Sequence, residues 1–252
     1  MWCGTERGRE RLRSDSDSSV FDEEYQIVVV GAKDVGKTAI CQFYIGGKEP
    51  ENSCERLGVQ KSAKFRRAEF CTWDTVDGQT CCMRLSELHM PTSVTPQNLC
   101  DDPIIKSLAQ RADGFLIIYS VTDSGSFWAT SSYYELIMQL RSYTDTPVVF
   151  IAHKTDCTNS QVVTSSKGRD AAFDIGASYY ETSVRSDPEG IKFVFHDIIR
   201  QVRSVRTHAR TQEQSCNRVR GFIHRLSLKS KRRRSKSRSR QKLTATEFVQ
   251  QT

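Results

Sequence analysis

Eight consecutive residues, Gly31-Ala32-Lys33-Asp34-Val35-Gly36-Lys37-Thr38, constrain this chain more than any other stretch. They match G-x-x-x-x-G-K-[ST], the phosphate-binding P-loop pattern. The apolar run Ile27-Val28-Val29-Val30 precedes them and reads as a strand. Ala39-Ile40-Cys41-Gln42-Phe43-Tyr44 follows and reads as a helix. Anion binding needs that order. Backbone N–H groups of the loop wrap the anion, and the helix N-terminus adds its positive dipole end. In such a loop Lys37 reaches the β- and γ-phosphates, and the Thr38 hydroxyl holds Mg2+.

The rest of the chain reads as alternating strands and helices. Residues 45–61 carry Gly46-Gly47, Pro50, Asn52 and Gly58 and read as a loop. Val59 to Val76 reads as a strand, Asp77-Gly78 as a hairpin turn, and Thr80 to Leu85 as the returning strand. Asp102 and Pro103 fit a helix cap and its first position. Phe115–Val121 and Pro147–Ala152 are continuous apolar runs, as in strands buried on both faces of a parallel sheet. Phe127–Tyr143 and Lys167–Ile175 read as helices, and Ser178–Glu181 as a last short strand. Ile191, Val194, Phe195, Ile198, Ile199 and Val202 fall on one helical face. The expected fold is α/β: a mostly parallel six-stranded sheet with one antiparallel hairpin edge and helices on both faces.

Charge separates a body from a tail. The net charge is +7, but residues 207–252 hold 13 Lys/Arg against 2 Glu, so the remainder is at −4. Domains are therefore expected at 1–24 (a disordered, Ser/Asp-rich leader), 25–206 (the nucleotide-binding body) and 207–252 (a basic, largely disordered tail). The nine cysteines lack metal-ligand spacing and read as reduced thiols. No apolar run approaches the ~18 residues of a membrane span. Trp2 in place of glycine and a C-terminus without cysteine predict a chain without a lipid anchor.

Two further motifs follow strands. His153-Lys154-Thr155-Asp156 comes directly after Val148–Ala152, and Glu181-Thr182-Ser183-Val184-Arg185 ends the last strand. Both occupy the carboxyl ends of sheet strands, where ligands of doubly wound folds bind. With the P-loop, they make residues 25–206 resemble the Ras superfamily of small GTPases. In that family N-K-x-D reads guanine: the Asp accepts two hydrogen bonds from the base and the Lys stem lies over it. Lys154 and Asp156 match. Glu181 to Arg185 is similar to the family's E-T-S-A-K, which puts the Val184 N–H against the guanine oxygen. The resemblance implies GTP and GDP as ligands, Mg2+ as cofactor, and a site built from Gly31 to Ala39, His153, Lys154, Asp156, Ser183, Val184 and Arg185.

The resemblance fails in four places. His153 replaces an Asn that ties the base loop to the P-loop; imidazole cannot repeat both bonds, so weaker affinity is expected. The family's D-x-x-G has two candidate registers. Trp73-Asp74-Thr75-Val76-Asp77-Gly78-Gln79 carries an inserted residue. The better fit takes Asp77-Gly78 as the hairpin turn and puts Glu87, Leu88, His89, Met90 and Pro91 at the motif positions. Glu87 then holds a metal water, while Met90 and Pro91 supply neither the γ-phosphate-sensing glycine nor the water-orienting glutamine. No Thr of the first switch is assignable; Ser53 and Ser62 are the nearby hydroxyls. Lys33 and Asp34 stand where Ras has glycine. Nucleotide binding survives these changes better than hydrolysis does, and no catalytic residue is assigned.

Two functions follow: a slow Ras-like switch in signal transduction, or a pseudo-GTPase that binds a partner constitutively. The tail adds partners. Val219, Phe222, Ile223 and Leu226 share one helical face, and the run Lys231–Arg240 is basic with serines between. Residues 218–242 suit an anionic membrane, at ~1 kcal/mol per basic residue, or calmodulin. A third reading is a tail-led nucleic-acid-binding protein. The expectation is a monomer in the cytoplasm, at the cytoplasmic face of the plasma membrane or in the nucleus, with effector and regulator proteins unknown.

Overall fold

A computed structural model describes residues 23–46, 56–61, 65–89, 99–141 and 145–211. The chain divides into two compact units, Met1–Ile199 and Arg200–Thr252. In the first, the order is β1 (Glu23–Gly31), α1 (Lys37–Gly46), β2 (Arg56–Lys61), β3 (Arg66–Val76), β4 (Gln79–His89), α2 (Pro103–Arg111), β5 (Gly114–Ser120), α3 (Ser124–Arg141), β6 (Val148–His153), α4 (Ser165–Asp174) and β7 (Ser178–Thr182). A helix over 188–199, α5, ends the unit. In the second unit residues 200–211 are helical.

The sheet runs β2-β3-β4-β1-β5-β6-β7. Its β4, β1, β5, β6 and β7 are parallel neighbours. The α/β class and helices on both faces stand, but the sheet has seven strands rather than six. The expected single strand from Val59 to Val76 is two: β2 pairs antiparallel with β3, Val59 opposite Ala68 and Lys61 opposite Arg66. Residues 56–61, expected in a loop, are that extra edge strand. Ser62-Ala63-Lys64 carries no Gly, Pro or Asn to announce a reversal. Gly58 marks a shift in the β2 register, the position at which a bulge favours glycine.

The β3–β4 hairpin turns at Asp77-Gly78, as expected. Both residues have positive φ, 53° and 79°, as a two-residue turn matching the sheet twist requires. The hairpin register then runs without a break from Val76–Gln79 to Arg66–His89. At α2, the Asp102 carboxylate accepts from the amides of Ile104 (2.9 Å) and Ile105 (3.3 Å), satisfying donors that an uncapped helix leaves open.

Alternation along β1, β5 and β6 sends side chains to two cores. Val28, Val30, Phe115, Ile117 and Phe150 pack with Ile105 and Leu108 of α2, Tyr133, Leu136 and Ile137 of α3, and Ala172 of α4. On the other face, Tyr44 of α1 stacks on Phe195 of α5 with centroids 4.0 Å apart. Every residue of β5 and β6 is buried. At about 1.5–3 kcal/mol for each large apolar side chain, this central pair fixes the sheet. Its rigidity matters because the loops after β1, β6 and β7 leave the sheet side by side. Among the described residues no helix is long and apolar enough to cross a membrane.

Candidate functional site

The P-loop leaves β1 at Gly31 and enters α1 at Lys37. Two of its glycines are required by contact. A Cβ on Gly31 would lie 2.2 Å from the Ile118 carbonyl oxygen, so only glycine lets β1 turn this close to β5. Gly36 has φ of 102°, and a Cβ there would lie 2.4 Å from Cδ2 of His153. Asp34 also lies in the left-handed region, at φ 62°. Val35 is buried, while Lys33 and Asp34 are exposed and Ala39 sits exposed on the first turn of α1.

Lys37 folds back into its own loop. Its Nζ donates to the carbonyl oxygens of Gly31 (2.9 Å) and Ala32 (2.6 Å). Burial lowers its pKa to about 8, against the opposing pull of Glu87. A buried ammonium whose partners are two neutral carbonyl oxygens is suited to an anion that would balance its charge.

Thr38 Oγ1 donates to Glu87 Oε1 at 2.6 Å. His89 Nε2 meets the same oxygen at 2.8 Å. Glu87 is fully buried. Burial pushes its carboxyl up, but hydrogen bonds from His89 and Thr38 and the charge of Lys37 outweigh it and hold the pKa below the usual value. Its second oxygen, Oε2, is buried with no hydrogen-bond partner among the described residues. An orphaned carboxylate oxygen beside a P-loop threonine fits a hydrated Mg2+, a hard cation that takes oxygen ligands and keeps its waters. Among the described residues no cluster of three or more His, Cys, Asp or Glu could hold a metal ion.

The acids of the two candidate D-x-x-G registers lie in different surroundings. Glu87, the acid of one register, stands beside Thr38 of the P-loop. Asp74, the acid of the other register, lies elsewhere: Tyr44 donates to its Oδ2, and His196 Nε2 is 2.9 Å from the same atom. Met90, Pro91, Ser53 and Ser62 lie outside the described residues, as do residues 218–242 and the 1–22 portion of the leader.

The two remaining loops meet the P-loop from the β6–β7 side. Lys154, at φ 66°, donates from Nζ to the Asp34 carbonyl oxygen at 2.7 Å, which ties the loop after β6 to the P-loop. Ser183 Oγ donates to Asp156 Oδ1 at 2.7 Å and accepts from the amides of Arg185 (3.1 Å) and Ser186 (3.3 Å). The Ser183 hydroxyl, chiefly, holds the Asp156 carboxyl below the usual carboxylate range. Asp156 is thus fixed as an anion with Oδ2 turned to the neighbouring Cys157 thiol at 3.7 Å. Val184, half-buried, follows Ser183, and Arg185 is exposed.

His153 forms the junction. It is buried, its Nδ1 is 3.3 Å from Thr182 Oγ1, and its other edge abuts Gly36. Burial lowers its pKa to about 4, so the ring is neutral. The expectation of one hydrogen bond where asparagine would make two agrees with this geometry. The sequence reading missed that packing replaces the second bond: the ring fills the space that Gly36 leaves. It also missed Thr182 as the partner, although Thr182 stands inside the quoted Glu181–Arg185 run.

With this geometry in place, comparison with known proteins is direct. The Ras family model matches residues 102–204. GTP-binding protein GEM of Homo sapiens is 29% identical over 201 residues, covering 77% of this chain and 63% of that protein. GTP-binding protein Rit1 of Mus musculus is 27% identical over 193 residues, covering 75% and 79%. GTP-binding protein REM 1 of Homo sapiens is 27% identical over 239 residues, covering 90% and 74%. The chain spans less than two thirds of the length of the GEM proteins that it matches. Fold, loop order and matches agree: the chain resembles the GTP-binding proteins of the Ras superfamily.

Proposed function

We propose that this Ras-like chain binds GTP and GDP and acts as a slow small GTPase in signal transduction. The observation that carries this reading is the bond from Lys154 to the Asp34 carbonyl, beside an Asp156 carboxylate fixed by Ser183. It joins a phosphate-binding loop to a carboxylate suited to the two adjacent N–H donors of guanine. Adenine offers no such pair at its corresponding edge, so Asp156 supplies base choice. Lys37 and the amides of Gly31 to Ala39 neutralise the phosphates, and Val184 and Arg185 close the base side. Mg2+, held by the Thr38 hydroxyl and through water by Glu87, would supply charge neutralisation at the β- and γ-phosphates.

The test is the nucleotide content of the purified protein, with single-turnover GTP hydrolysis. Retention of GDP or GTP, lost in Asp156→Ala, is the expected result; a protein that binds no guanine nucleotide, or binds ATP equally, overturns the reading. A second reading, a pseudo-GTPase that holds a partner constitutively, draws on the engagement of Glu87 by His89. Tight GTP binding with no measurable turnover would select it. The basic segment 218–242 is proposed as a tether to anionic membrane, with calmodulin as the alternative partner.

A further inference from the structure

We propose that Cys71 and Cys82 form a redox-modifiable dithiol, converted to an intramolecular disulfide by hydroperoxides. The pair lies on the β3–β4 hairpin, apart from the nucleotide loops. In the register of that hairpin Cys71 faces Arg84 and Trp73 faces Cys82, so the two cysteines are diagonal neighbours on one sheet face. Their sulfurs are 3.3 Å apart. Only about 1.2 Å remains to the ~2.05 Å of a disulfide. The unbroken β3–β4 register sets the two strands at this offset. The adjacent Cys81 is fully buried and, by strand alternation, points to the opposite face.

The two thiols differ in access, and this orders the chemistry. Cys71 is half-buried, whereas Cys82 is only 7% exposed. Burial, followed by the hydrogen bond to Cys71, pushes the Cys82 thiol up to about 12, so it is not the first nucleophile. The Cys71 thiolate attacks one peroxide oxygen, and the O–O bond breaks. This gives Cys71 sulfenic acid and releases an alcohol, or water from hydrogen peroxide. The Cys82 sulfur then attacks the Cys71 sulfur, the S–O bond breaks, and the departing hydroxide takes the Cys82 proton as water. The two thiols lose two hydrogens and two electrons, and the peroxide accepts them.

The sequence supplies a clean assay. No Lys or Arg separates Ala68 from Arg84, so Cys71, Cys81 and Cys82 share one tryptic peptide. Folded full-length protein is treated with hydrogen peroxide, then denatured, alkylated and digested. That peptide should carry one alkyl group, on Cys81, and lack two hydrogens; prior reduction should restore three alkyl groups. A second cut at Asp74 and Asp77, which lie between Cys71 and Cys82, should leave the halves joined in the oxidised sample alone. Cys81→Ser should keep the bridge and Cys71→Ser should abolish it. Three alkyl groups after peroxide, Cys71 recovered as sulfinic acid, or halves that separate because Cys81 has bridged to Cys82 would each overturn the proposal.

Discussion

The site has a base side and a phosphate side, and they are built differently. On the base side, Asp156, Ser183 and the amides of Arg185 and Ser186 form a closed set of hydrogen bonds between two loops that leave adjacent parallel strands. On the phosphate side, Glu87 already accepts from Thr38 and His89 while its second oxygen has no partner among the described residues. One half presents a completed receptor, the other an arrangement that awaits charge. On the proposed reading, guanine recognition and γ-phosphate chemistry are separable in this chain.

The largest effect expected on that contrast comes from Asp156→Ala. It removes two charge-assisted hydrogen bonds to guanine, each worth about 1.5–3 kcal/mol, and should weaken GDP binding by roughly a thousandfold. Titration with a fluorescent GDP analogue measures it; the free protein should lose only about 1 kcal/mol of stability, from the Ser183 hydroxyl left without its acceptor. Binding within tenfold of the parent would break the separation between the two sides.

Gly36→Ala comes next, because it acts on both sides at once. The new methyl group would enter the His153 ring, and φ of 102° is unfavourable for any L side chain. A loss of about 2–3 kcal/mol in stability is expected, from left-handed strain together with overpacking. Adding His153→Ala should recover only the packing part. Full recovery in the double variant, read by thermal melting, would show that the backbone there carries no strain.

These two positions also show what was legible in the sequence. The P-loop, the Asp77-Gly78 turn, the Asp102 cap and the apolar β5 and β6 are local patterns, and each fell where it was expected. The strand β2 was not legible, because Ser62-Ala63-Lys64, between it and β3 in the sequence, carries no Gly, Pro or Asn. Nor was the His153 junction, which gathers Gly36 of the P-loop and the last residues of β6 and β7, His153 and Thr182; no local spacing encodes such a contact. The same holds for Asp74. Its W-D-T context imitated a switch motif, yet it serves Tyr44 and His196, the latter 122 residues away. The Glu87 register was recoverable because hairpin geometry propagates: once the turn is fixed, each position on β4 is fixed with it.

Acid should expose the junction in the nucleotide-free protein. The His153 pKa falls from 6.5 unfolded to about 4 folded, so the unfolded chain binds the extra proton between those values. Stability is then complete above about pH 6.5 and declines as pH falls towards 4, by up to roughly 3 kcal/mol. Denaturant melts across that window measure it. His153→Gln should flatten this component, and an unchanged slope in that variant would assign the acid sensitivity to other groups.

The smallest predicted effect belongs to the phosphate side and appears in alkali. In the free protein Lys37 loses its proton with a pKa of about 8. A bound phosphate favours the ammonium and raises that value, so binding takes up a proton once the free lysine is neutral. GDP affinity should therefore be flat below pH 8 and fall up to tenfold per pH unit above it, about 1.4 kcal/mol each. Lys37→Arg, which stays charged, should abolish the pH slope even if the bulkier guanidinium lowers affinity throughout. Because Asp156 is already ionised at pH 7, guanosine without phosphates should show no break at pH 8. The same break with guanosine would place the titrating group on the base side and remove the distinction between the two halves of the site.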